Sequence, residues 1–251
     1  MTDHKQINIE VPVLARVEGE GALELSVKDG SIDKLHLRIF EPPRFFEKLL
    51  EGRSYTDVLD IVARICGICP VAYQMSAVHA IESIFDIDAG PWVRDMRRLM
   101  YCGEWIESHA LHIHLLAAPD FLGHESAISM AKQYPDEVRR GLHLQALGNR
   151  ILRLLGGRSV HPVGACVGGF FSAPSMEDVK SLLQELKQAL PLAQQLVHWT
   201  ASLNLPEDRQ EFVSVALRHA DEYPMNEGRI VSSNGLDIAI DEYQQYFKES
   251  H

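Results

Sequence analysis

The stretch RICGICP, residues 64–70, sets two cysteines two residues apart, with a glycine between them and a proline directly after. A Cys-x-x-Cys pair offers two thiolates that can converge on one metal ion, or two thiols that can close into a disulfide. The flanking sequence places the pair at a joint between helices. Upstream, Ser54 with Asp57 three residues on has the form of a capping box, and Val58, Val62 and Ile65 then line one face of a helix running into Arg64. Downstream, Pro70 suits a first helical position, where its missing N–H would be unpaired anyway, and Met75, Val78, Ile81 and Phe85 mark the inner face of the next helix. Cys69 is therefore expected beside a helix N-terminus, whose partial positive charge favours a thiolate, as would the Arg64 guanidinium if folded over the motif.

Three chemistries compete for such a pair. Buried free cysteines in a turn between helices are the plain structural reading. A thioredoxin-like redox site has the same spacing, but that motif follows a strand in a compact parallel-sheet unit, whereas a helix precedes it here. A soft or borderline metal such as nickel, zinc or iron suits two thiolates at a helix end, although two ligands complete no usual coordination sphere. The remaining cysteines, Cys102 and Cys166, stand alone, which weakens a zinc ribbon and makes a disulfide framework too sparse.

Working outward, the residues from 91 to about 118 begin with a proline and carry Met96, Leu99, Met100, Ile106, Ala110, Ile113 and Ala117 at helical spacing, as a central core helix would. Residues 135–155 repeat the pattern with Val138, Leu142, Leu147, Ile151 and Leu154 inward, ended by Gly156-Gly157. After the loop RSVHPVGACVGGF, Ser175 with Asp178 opens a helix through Leu182, Leu186, Leu190 and Leu196, with Pro191 as a kink point. The N-terminal segment has a period of two instead: Ile7, Ile9, Val11 and Val13 alternate as in a half-buried strand, and Asp29-Gly30 turns a hairpin between ALELSV and Leu35, Leu37 and Ile39. A second hairpin is expected around Asn234-Gly235. The fold class is α+β, a small N-terminal antiparallel sheet packed on a mainly helical bundle. Three regions follow: a β-rich segment over 1–53, a helical core over 54–206, and a polar peripheral segment over 207–251.

Composition limits the function. The chain has 251 residues, 46% hydrophobic and 24% charged, ample for a sizeable core. A net charge of −11 works against nucleic acid as a partner, because that affinity rests on clustered Lys and Arg. The polar start MTDHKQ has no signal-peptide form and no run is apolar enough to span a bilayer, so a cytoplasmic location without a membrane span is expected.

Five blocks together carry a resemblance: RVEGEG at 16–21, PRFFEKLLEGR at 43–53, RICGICP, ESHALHIHLLAAPDFLG at 107–123 and GGRSVHPVGACVGG at 156–169. In this order they resemble the N-terminal part of the large, catalytic subunit of nickel-iron hydrogenases, most like the soluble branch that couples hydrogen to NAD(P) or a deazaflavin. The resemblance implies an oxidoreductase acting on H2, with Cys66 as a terminal nickel thiolate and Cys69 bridging nickel to an iron that carries cyanide and carbon monoxide. It implies that Glu18 takes protons from a nickel-bound cysteine, and that Glu47 is a ligand of a second, hard metal site, Mg2+. It also implies an iron-sulfur small subunit, diaphorase-type subunits and maturation chaperones as partners.

Two departures stand out. Tyr73 occupies a position where many members carry histidine. The family's second motif, Asp-Pro-Cys-x-x-Cys-x-x-His, does not occur in these 251 residues, so the portion at hand is truncated relative to the pattern and is expected to be inactive alone. The resemblance gives His109 and His112 no ligand role despite their helical spacing, and leaves His161 without one. The competing expectation is a non-catalytic, hydrogenase-derived subunit of a respiratory complex, serving as an interaction or quinone-site module; the intact cysteines argue against it.

Overall fold

The computed structural model describes residues 6–40 and 43–248, with Pro43 described by its backbone alone. The polar opening residues 1–5 and the final three lie outside that range. The chain divides into two compact units, Met1–Arg53 and Ser54–His251.

The first unit holds a three-stranded antiparallel sheet, β1 (Gln6–Val11), β2 (Gly21–Lys28) and β3 (Ser31–Ile39), in the order β1-β2-β3. The β2–β3 turn is the expected one: Asp29 and Gly30 both take positive φ, 51° and 80°, the conformation that matches the twist of paired strands. The register sets Ile9 opposite Leu25 and Leu25 opposite Leu35, so the alternating residues do share one face. That face is exposed, however, with Leu35 at 61%, and the strand expected to be half-buried is not. Alternation decides which face is apolar and leaves open what covers it. The helix α1 (Pro43–Leu50) completes this unit.

The second unit is mostly helical. Its helices are α2 (Tyr55–Val62), α3 (Pro70–Phe85), α4 (Gly90–Leu111), the short α5 (Ala118–Phe121) and α6 (Ala127–Met130), α7 (Pro135–Gly156) and α8 (Met176–Ala201). Local signals set several ends. Pro70 and Pro135 start α3 and α7, Gly157 closes α7 with φ 76°, and the Ser175 hydroxyl accepts from Asp178 N at 3.1 Å to cap α8. Ser54 caps α2 through Thr56 N at 3.4 Å, without the reciprocal bond of a capping box.

The core helix expected over 91–118 is interrupted. The α-ladder of α4 opens into a π-helical turn, His112–Ala117, before α5. Pro119, inside α5, has no N–H for the i−4 carbonyl, and the wider turn absorbs the mismatch. Pro191 lies inside a continuous α8.

One core cluster joins Leu59 of α2, Val71, Met75, Val78 and Ile81 of α3, Met100 of α4 and Leu152 and Leu155 of α7. A second joins Ala110, Leu144, Leu147 and Ile151 to Leu182 and Ala189 of α8. Between α4 and α7 the backbones touch, since a Cβ at Gly148 would lie 2.5 Å from both Glu107 N and Gly103 O. Phe85, Leu142 and Leu190, expected inward, are exposed, because each sits at the edge of its helix's apolar stripe.

Residues 207 to 248, set apart by composition, fall within this second unit. Arg94 of α4 donates to Glu227 at 2.8 Å and pairs with Glu222, while Tyr223 meets the Trp105 ring edge-on at 5.7 Å. The expected hairpin is present as β5 (Arg229–Ser232) and β6 (Asp237–Ile238), Ile230 facing Ile238. A further strand, β4 (Val215–Arg218), pairs antiparallel with β5.

Candidate metal centre

The cysteine motif forms the elbow between α2 and α3. α2 ends at Val62, capped by Ala63, earlier than the expected run into Arg64. Cys69 is the N-cap residue of α3, and its side chain makes no capping hydrogen bond. Across the turn the Cα atoms of Cys66 and Cys69 are 5.5 Å apart, and the structure joins the two sulfurs as a disulfide. Cys69 N–H also donates to the Cys66 sulfur at 3.2 Å. The Arg64 guanidinium donates to the carbonyl of Asp60.

Three side chains hold the elbow from a distance. Glu104, buried on α4, accepts hydrogen bonds from Val71 N at 2.6 Å and Ala72 N at 3.3 Å, the first free N–H groups of α3 after Pro70. His161, at φ 49°, donates from Nδ1 to the Ala63 carbonyl at 2.6 Å, which fixes its tautomer and gives this histidine a structural place. Gln74, fully buried, donates to the carbonyls of Pro162 at 2.7 Å and Leu59 at 3.4 Å, tying α3 to α2 and to the 156–169 loop.

Burial shapes the electrostatics. It pushes the carboxyl pKa of Glu107 up to about 7. Glu104 is also pushed up to about 7, by burial first and by the charge of Glu107, against the pull of the Val71 and Ala72 N–H groups. Burial likewise pushes the Cys102 and Cys166 thiols up, so neither is a ready thiolate. Arg97 and Glu82 form a buried pair beside this region, at 2.8 and 2.6 Å.

Of the residues singled out by sequence, Cys66 and Cys69 are brought together. Glu18 and Glu47 belong to the first unit, Glu18 in the loop after β1 and Glu47 on α1 with its carboxylate 3.7 Å from Arg44. Tyr73 is exposed. His109 and His112, taken to lie on a buried helix, are exposed instead, His109 stacking on Trp105. Among the described residues the buried histidine is His114, two positions beyond His112; its Nδ1 meets the Ala110 carbonyl at 3.1 Å and its ring stacks on Trp199. Sequence reading also passed over Glu104 and Glu107. The signal was available, because both fall on the stripe of Met100 and Ala110 that faces the core.

Once reduced, the pair would suit a soft metal: two adjacent sulfurs at a helix N-terminus, with the Cys69 side chain not spent on capping. It supplies half a shell. Among the described residues, no group of three or more His, Cys, Asp or Glu is gathered for a metal ion.

The family model for nickel-dependent hydrogenase matches residues 44–140, which include both cysteines. Sulfhydrogenase 2 subunit alpha of Pyrococcus furiosus is 42% identical over 194 residues, 77% of this chain and 47% of that one. The chain belongs to the nickel-dependent hydrogenase family. Sulfhydrogenase 1 subunit alpha of the same organism is 33% identical across 96% of this chain and 58% of that one. This hydrogenase chain thus spans about half the length of the curated relatives it matches. Among solved structures, an NAD+-reducing [NiFe]-hydrogenase in the H2-reduced state superposes with a TM-score of 0.87 at 26% identity, covering 98% of this chain and 59% of that one. The Ni-Fe-Se hydrogenase of Desulfovibrio vulgaris Hildenborough shares the fold at a TM-score of 0.71 and 22% identity, over 94% of this chain and 55% of that one. The sheet and helices are those of a hydrogenase large subunit, and no helix among the described residues is long and apolar enough to cross a membrane.

Proposed function

We propose that this chain is the N-terminal portion of the catalytic subunit of a nickel-iron hydrogenase, with Cys66 and Cys69 providing two of the four sulfur ligands of its metal centre. The observation that carries this reading is the convergence of the two cysteines at the start of α3, in a chain of this family. When bound, a nickel-iron centre carrying cyanide and carbon monoxide supplies the two-electron chemistry that splits H2 heterolytically.

The protein's own residues do the rest. Once reduced to thiolates, Cys66 and Cys69 would hold the nickel-iron pair. The Cys69 N–H, which donates to the Cys66 sulfur, would help to orient it. Glu18 would receive a proton from a cysteine sulfur and pass it outward, a task for a hydrogen-bonding group able to gain and lose a proton. Glu47 is a carboxylate ligand of a hard second site suited to Mg2+. Electrons leave through iron-sulfur clusters on a small subunit, since four cysteines cannot hold a cluster chain of their own. Diaphorase-type subunits and NAD(P) or a deazaflavin complete the route, in the cytoplasm. The likeness to an NAD+-reducing [NiFe]-hydrogenase supports that acceptor.

Residues 1–251 alone bring two sulfur ligands and are expected to be inactive without a second cysteine pair. The test is metal analysis of the purified protein with its partner chains. Nickel is expected in the unaltered protein and lost in Cys69→Ser, because a hydroxyl is a harder and far less acidic ligand. Full nickel content in Cys69→Ser refutes the assignment.

A further inference from the structure

A residue at a helix N-cap is normally the one that satisfies the first free N–H groups. Cys69 holds that position on α3 and does not do so. The N–H groups of Val71 and Ala72 go to Glu104 of α4, 33 and 32 residues away, through both oxygens of a carboxylate that is 3% exposed. A carboxyl group offers two oxygens, so one side chain can accept both N–H groups at the start of the helix. A burial this complete is costly for a carboxyl group unless the bonds it makes are needed.

We propose that Glu104 is a positioning residue for the cysteine pair: by capping α3 from a neighbouring helix, it fixes the Cys69–Pro70 elbow and leaves the Cys69 sulfur turned toward Cys66 and free for a metal. The role toward a metal rests on the function proposed above; the positioning of one sulfur against the other does not. If the cap is removed, the first turn of α3 frays and the Cys69 sulfur becomes the nearest acceptor for the released N–H groups. Both effects separate the sulfurs.

The separation is measurable without metal. In the full chain, stripped of metal by a chelator and held at pH 8, the pair is equilibrated with glutathione. The two thiols give up two electrons and two protons to glutathione disulfide, forming the Cys66–Cys69 bond and two reduced glutathiones. The equilibrium constant reports how well the sulfurs are held together. Glu104→Gln keeps the shape but sets an NH2 donor where the second N–H needs an acceptor, and it is expected to lower that constant about tenfold. Amide hydrogen exchange over residues 70–76 is expected to quicken by a similar factor. Glu107→Gln, a change at the other buried carboxyl of α4, should move neither measurement. Glu104→Asp, with the charge retained on a shorter arm, should fall between.

A Glu104→Gln chain whose glutathione equilibrium matches the unaltered protein overturns the proposal, even if its amide exchange quickens, because the cap would then serve the helix and not the sulfurs. An equal shift in Glu107→Gln overturns it too, as general loosening of α4. Should Glu104→Gln fail to accumulate, the Asp variant decides by the same measurement, an unchanged constant being the overturning result. Absence of nickel from the unaltered protein would sink the metal assignment and leave these outcomes standing.

Discussion

Arg97 of α4 and Glu82 of α3 face each other as a buried two-armed ion pair, Nη1 to Oε2 at 2.8 Å and Nη2 to Oε1 at 2.6 Å, both residues under 8% exposed. The carboxylate also accepts from Gly168 N at 2.8 Å, and the guanidinium donates to the Cys166 carbonyl at 3.2 Å, so the pair fastens the 156–169 loop to two helices. Burial works to raise the Glu82 pKa, but the hydrogen bonds from Arg97 and Gly168 and the Arg97 charge outweigh it and hold it below the usual carboxylate range. Arg97→Met is therefore expected to destabilise the chain by about 3–5 kcal/mol, because it strands a buried carboxylate. A Glu82→Leu/Arg97→Met double variant should recover part of that loss. Urea unfolding of the three variants measures the coupling. For Glu82 itself, a lowered pKa gives stability that is present above the unfolded value and lost as pH falls through the folded one.

Glu104 and Glu107 act with the opposite sign. Their folded pKa values, about 7, exceed the ordinary 4.5, so between those values the folded chain holds protons that the unfolded chain has released. Their contribution to stability falls as pH rises across that window and levels off above about 7. Glu107→Gln removes its share. It is expected to be on the order of 1–3 kcal/mol more favourable relative to the unaltered chain at pH 8 than at pH 4. Denaturant midpoints at the two pH values decide it, and an equal effect at both would show that Glu107 is not perturbed.

Gly148 tests the crossing of α4 and α7. Within a helix, alanine is ordinarily better than glycine by about 1 kcal/mol. Here its Cβ would meet backbone atoms of Glu107 and Gly103 at 2.5 Å, and backbone cannot move aside cheaply. Gly148→Ala should cost roughly 1–3 kcal/mol despite the better propensity. Thermal unfolding should show a Tm lower by several degrees. An unchanged or raised Tm would mean that the helices do not approach so closely.

The proton role proposed for Glu18 separates charge from shape. Glu18→Gln keeps the hydrogen-bonding outline and cannot carry a proton. With metals retained, the complete enzyme carrying this variant should lose at least about tenfold in hydrogen–deuterium exchange, in line with the usual contribution of a positioned acid-base group. Undiminished exchange would route the protons elsewhere.

What could be read from the sequence was largely local. Pro70 and Pro135 as helix starts, Ser175 as a cap, Gly157 as a helix end and Asp29-Gly30 as a turn each act through their own backbone, and each is found in place. The closeness of Cys66 and Cys69 follows from their spacing in the same way. Features decided by distant chain were not legible. The strand Val215–Arg218 gains its form from a partner more than ten residues away, and the π-turn arises where α4 must continue into Pro119. Glu104 looks like any helix acid until Val71 is known to lie beneath it. Leu142 has the right period, yet it falls just outside the strip that α7 buries.

The bond from His161 to Ala63 spans 98 residues, and that from Gln74 to Pro162 spans 88. During synthesis at about 5–20 residues per second, the ribosome needs roughly 5–20 s after making the cysteine motif before residue 162 exists to brace it. Through that interval Cys66 and Cys69 sit on an elbow that lacks two of its three braces, with no loop of 156–169 to set the angle between α2 and α3. Closing so long a loop also carries an entropic cost that local contacts do not repay. If the metal ligation proposed above holds, a carrier acting on the nascent chain would meet an unbraced thiol pair, and one acting after release a braced one.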